Sequence, residues 1–147
     1  MKNPFEIKRD DRTLDKLIFT TKLHPLMSNA KWVKLLATLV ANWQLIQECK
    51  VKLIWEDASV ERWLRIEEET SYEFDYYASA MEAMIVGAPH LGWAAYKEIE
   101  WLDFPKLPRN KVGVQDLKDI QYKIEEIGDF QYIASPDNLR LYACQRP

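Results

Sequence analysis

The sequence predicts an α+β domain, an antiparallel sheet of about five to six strands with two main helices packed on one face. Three observations predict it. Two stretches repeat apolar residues every three or four positions, and several shorter ones alternate apolar with polar residues. The connections between neighbouring alternating stretches are mostly too short for parallel crossovers. The 147 residues fit a single domain, 1–147, in which residues 1–25 read as a less ordered N-terminal arm. At this size folding buries roughly 70% of the surface that the unfolded chain exposes, enough for one hydrophobic core.

In residues 1–23 the cluster Leu14, Leu17, Ile18 and Phe19 suits one helical turn, while 18–21 favour a strand, and both readings stay open. Pro25 disfavours helical geometry at His24, so a break belongs there. The clearest element follows. Ser28 or Asn29 is placed to cap a helix over 30–48, in which Trp32, Leu35, Leu36, Leu39, Val40, Trp43 and Ile46 form a wide apolar stripe opposite Lys31, Lys34, Thr38, Asn42 and Glu48.

After Cys49 the period shifts towards two. Val51, Leu53 and Trp55 alternate with Lys52, Ile54 and Glu56, and over 60–67 Val60, Leu64 and Ile66 face away from Glu61, Trp63, Arg65 and Glu67. Residues 57–59 suit the turn between these strands. A third extended piece, 72–76, sets Tyr72, Phe74 and Tyr76 against Glu73 and Asp75. Tyr77, Ala80, Met81 and Met84 then predict a short helix, and Gly87, Pro89 and Gly92 a loop. A strand over 95–104 puts Ile99 and Trp101 on one face and Glu98 and Glu100 on the other, until Pro105 and Pro108 end it. Leu117, Ile120, Ile124 and Ile127 line a second helix over 114–127, with Asp116 and Asp119 at its positive end and Gly128 to stop it. A hairpin closes the chain: 130–134, a turn of Ser135, Pro136, Asp137 and Asn138, then 139–144.

Charge is unevenly distributed. Residues 51–104 hold twelve acids against four bases, whereas both flanking segments are net positive. No stretch approaches the ~20 apolar residues that span a bilayer, and the N-terminal residues lack the pattern of a secretory signal, so a cytoplasmic protein without a membrane partner is expected. A pI of about 5.5 argues against direct binding of nucleic acid. His24, Cys49, His90 and Cys144 are scattered without ligand spacing, so no metal is expected, and with four glycines and no phosphate-cradling loop no cofactor is expected either.

The carboxylates are the only candidates for acid–base work. Glu98 and Glu100, two apart on a strand, would stand ~7 Å from each other, a separation usable by a hydrolase, although any solvated strand face gives the same pattern. The tryptophans divide differently. Trp32 and Trp43 belong to a core, whereas Trp63 shares its face with Glu61, Arg65 and Glu67, an aromatic ringed by charge as in a binding hot spot. The leading expectation is therefore a protein-binding module rather than an enzyme. It would dock a basic partner through Trp63, Glu67, Glu68, Glu69, Tyr72, Glu73, Asp75, Glu98 and Glu100. The alternatives are a small carboxylate-dependent hydrolase and a subunit that self-associates through a sheet edge.

In size, acidity, expected architecture and segments such as Ser28-Asn29-Ala30-Lys31-Trp32 and Glu98-Ile99-Glu100-Trp101-Leu102, the chain resembles the small acidic immunity proteins with which bacteria neutralise toxins. The same segments are similar to a family of uncharacterised small bacterial proteins. Immunity proteins share no common fold, so the resemblance carries no residue roles. It implies inhibition by occlusion, with Glu67, Glu68, Glu69, Glu73 and Asp75 set against the lysines and arginines that a nuclease-type toxin uses for phosphate.

Overall fold

The computed structural model describes residues 10–67, 79–82, 84–109 and 113–147. Asp10 caps the first helix, α1 (Asp11–Thr21), by accepting a hydrogen bond from the Thr13 amide at 2.8 Å. Lys22, in the left-handed region at φ 56°, ends it. This pair of caps decides the ambiguity of 14–21 in favour of helix. The break after it is a short strand, β1 (His24–Pro25), paired with β10 (Cys144–Gln145) at the other end of the chain.

Helix α2 (Asn29–Ala41) starts where its apolar period starts, with Ser28 accepting from the Lys31 amide. Trp32, Leu35, Leu36 and Leu39 are its buried stripe. It is shorter than its periodicity predicts. Asn42 donates its side-chain amide to the Thr38 carbonyl at 2.8 Å, competing with the helical pattern at that point. Ile46 still reaches the core, from irregular backbone.

Among the described residues the main sheet has six antiparallel strands in the order β5-β3-β2-β7-β9-β8. These are β2 (Lys50–Leu53), β3 (Trp63–Leu64), β5 (Ile85–Val86), β7 (Ile99–Pro105), β8 (Gln131–Ala134) and β9 (Asn138–Tyr142). The register sets Ile85 beside Leu64, and Val51, Leu102, Leu141 and Tyr132 in a row, on one face of the sheet, all packed in a single core with the apolar residues of α2 and α3 (Leu117–Glu125). The fold is thus the expected α+β arrangement with two main helices on one sheet face. Helix α3 is capped by Asp116, and its Ile120 and Ile124 are buried. The C-terminal hairpin forms as its turn chemistry requires, with the Ser135 amide bonded to the Asn138 carbonyl at 2.9 Å.

The short helix expected here is not formed by Ala80–Glu82. Ala80–Glu82 form a strand, β4, which pairs with β6 (Trp93–Ala95). This pairing puts Ala80 and Met81 in the interior, with Met84 buried just beyond, so long-range packing overrides a weak helical spacing. The extended piece expected at 72–76 lies outside the described residues. Among the described residues no helix is long and apolar enough to cross a membrane.

Candidate functional site

Strand β3 and its flanks separate two environments one residue at a time. Arg62, Leu64 and Ile66 are buried, while Glu61, Trp63, Arg65 and Glu67 are exposed, as the period of two predicts. Trp63 keeps 40% of its surface accessible. Its neighbours across the sheet are Val86 on one side and Lys50 on the other; Lys50 pairs in turn with Asp103, and Asp103 with Arg140. These residues lie on the face opposite α2 and α3.

A cleft of about 660 Å³ opens on this face, with Trp63 and Trp101 among its walls and Lys50, Glu61, Arg65 and Glu67 among its polar lining. Arg109 reaches its rim and is paired with Glu61. Trp101 is fixed from the other side: the Arg140 guanidinium sits 3.9 Å from the ring centroid and also bonds the buried Asp103 at 2.9 Å. Stacking and ion pairing together leave Trp101 a rigid wall and Trp63 the accessible aromatic.

The face is held from beneath by polar groups that the chain has internalised. The Arg62 side chain is fully buried, forks onto the Glu56 carboxylate at 2.6 and 2.7 Å, and donates to the Pro89 carbonyl at 2.9 Å. Gly87 closes tightly on this strand. At φ 139°, a Cβ there would stand 2.6 Å from the Glu61 carbonyl oxygen, so only glycine fits. Gln115, also buried, accepts from the amides of Gln47 and Glu48 and donates to the carbonyls of Glu48 and Pro105, tying the loop after β7 to the start of β2.

Of the residues expected to contact a partner, the structure exposes Trp63 and Glu67 and withdraws Glu98 and Glu100. Glu98 is 1% exposed; its carboxylate accepts from the Trp55 indole at 3.0 Å and from the Ala95 amide at 2.9 Å. Glu100, 7% exposed, is paired with Lys52 at 2.9 Å and with Arg146. The expectation that both glutamates line a docking surface is therefore corrected. A bulge where Leu53 pairs with Ile99 and Lys52 with Trp101 skips Glu100 and breaks the simple alternation. Burial pushes the Glu100 carboxyl up, but hydrogen bonds from Arg146 and Lys52, with their charges, outweigh it and hold the group below the usual carboxylate range. That is the opposite of what a general acid needs. Glu68, Glu69, Tyr72, Glu73 and Asp75 lie outside the described residues.

Both thiols are buried. Burial, aided by the charges of Asp103 and Glu48, raises Cys49 well above the ordinary thiol range, and burial with the Glu100 charge pushes Cys144 up to about 11. Neither is poised as a nucleophile. Among the described residues no three of His, Cys, Asp and Glu gather as metal ligands.

Sequence reasoning missed Arg62, Glu56 and Lys50. The parity of Arg62 with Leu64 and Ile66 is the signal for its burial. Lys50 was legible only through its register with Trp63. The chain matches no protein-family model, no curated protein and no solved structure.

Proposed function

We propose that this protein is a protein-binding module of the immunity type, a cytoplasmic inhibitor that docks a basic protein and covers its working surface. The observation that carries the reading is the exposed side of β3. There Trp63, 40% accessible beside a cleft of about 660 Å³, stands between the exposed Glu61 and Glu67 on a sheet face turned away from the two main helices. An accessible aromatic beside a concavity supplies buried contact area, and surrounding charge supplies encounter rate and selectivity. The cleft lining is itself mixed, because Lys50, Arg65 and Arg109 offset its acids. The acidic attraction comes instead from residues that follow in the sequence: Glu67, Glu68 and Glu69, then Glu73 and Asp75. The partner is accordingly a protein with a lysine- and arginine-rich active surface, such as a nuclease-type toxin.

The test is affinity capture with the wild type, Trp63→Ala and the triple change Glu67, Glu68, Glu69→Lys. The reading expects one basic protein to be retained by the wild type, released by salt, lost from both variants, and inhibited in its own activity by the wild type alone. A retained protein that both variants also hold and inhibit would overturn it.

A further inference from the structure

The two edges of the main sheet are built differently. Among the described residues β5 is only two residues long and runs into Gly87, which packs against β3 and turns the chain away. Brevity and a sharp turn are common ways of blunting an edge. At the other edge, β8 reads Gln131, Tyr132, Ile133 and Ala134, with no charge, proline or glycine. Its register with β9 runs without a bulge from Gln131 opposite Tyr142 to Ala134 opposite Leu139. Among the described residues nothing pairs with its outer side. None of the usual protections is present on that strand, and its backbone groups are a template for another strand.

The side chains of β8 point to a particular occupant. Tyr132 turns towards α3, where its hydroxyl is bonded to Glu125 and to the Gln121 amide, so this side of the strand is already tied down. Ile133 turns to the other face and is 61% exposed. We propose that β8 pairs antiparallel with β8 of a second copy of this chain, centred on Ile133. In that register Ile133 meets its own mate, Tyr132 meets Ala134 and Gln131 meets Ser135. Every pair has its two side chains on the same face, as a sheet requires. The uncharged strand brings no like charges together, and two β-branched side chains, exposed in the monomer, cover each other. The result is one sheet running through both copies, with both Trp63 faces on the same side. A contact of this length is smaller than the ~800 Å² per partner of a standard interface, so the dimer is a dissociable one. It uses a surface distinct from the proposed docking face and does not depend on it.

Sedimentation velocity over a concentration series tests the pairing, together with two single-cysteine additions and one charge change. The wild type should pass from monomer to dimer as concentration rises. Ile133→Lys should weaken the dimer about tenfold or more, since burial of the isoleucine is lost and two lysines oppose each other. Its thermal unfolding should be unchanged. Directly opposed residues of an antiparallel pair stand ~4.5–5.5 Å apart at Cα, within disulfide reach. Ile133→Cys should therefore oxidise to a covalent dimer much faster than Gln131→Cys, whose mate is displaced along the strand. A wild type that stays monomeric at its highest soluble concentration, a dimer that Ile133→Lys leaves intact, or equal oxidation of the two cysteine variants would each overturn the proposal.

Discussion

The carboxylates around β7 and those flanking β3 look alike in sequence, acids interleaved with tryptophan at strand spacing, yet they end in opposite environments. Glu98, Glu100 and Asp103 are buried and bonded, to Trp55, to Lys52 and Arg146, and to Arg140 and Asn138. Glu61 and Glu67 stand in solvent beside Trp63. Position in the sheet makes the difference. Strand β7 lies between β2 and β9, and the C-terminal arm brings Arg146 over it, whereas among the described residues β3 is followed outward only by the two-residue β5. Alternation on a central strand says which residues share a face. It does not say whether that face is wet.

The contrast can be broken most severely at Arg62. Arg62→Met leaves the Glu56 carboxylate buried without its partner and should cost about 3–5 kcal/mol in urea unfolding. Glu98→Gln, which keeps one acceptor for Trp55 or Ala95 but not the charge, should cost about 1–3 kcal/mol by the same measurement.

A third outcome concerns acid. The folded-state pKa of Glu100 is depressed, so the stability it contributes is fully present above the ordinary carboxylate pKa and is lost as pH falls through the depressed value. Thermal unfolding followed below pH 5 should therefore show a shallower acid limb in Glu100→Gln than in the wild type. The smallest effect belongs to the exposed side. Glu67→Gln should leave stability within about 0.5 kcal/mol of wild type, and a larger loss would mean that β3 is as internal as β7.

These expectations follow an uneven legibility. Ser28, Trp32, Leu35, Leu36 and Leu39 announced α2 because a cap and a helical period are local signals, and the same holds for Asp116 before α3 and for the Ser135–Asn138 turn. The end of α2 was not legible, since Trp43 and Ile46 continue the period although the chain leaves the helix at Asn42. The outward side of β3, with Trp63 and Glu67, was legible from alternation alone. The fate of Glu98 and Glu100 was not. Their partners Trp55 and Arg146 lie 43 and 46 residues away, and the bulge that skips Glu100 is a property of the pairing with β2. Burial of ionisable groups is decided by such distant partners, which no local pattern encodes.

The central claim is that the exposed side of β3, and not the carboxylates of β7, meets the partner. The most direct measurement is the dissociation constant of the basic protein retained by the wild type, determined for Trp63→Ala and Glu98→Gln at a temperature where both variants are folded. The account predicts that binding is lost in Trp63→Ala and unchanged in Glu98→Gln. Unchanged binding in Trp63→Ala with loss in Glu98→Gln would contradict it and return the function to the buried glutamates.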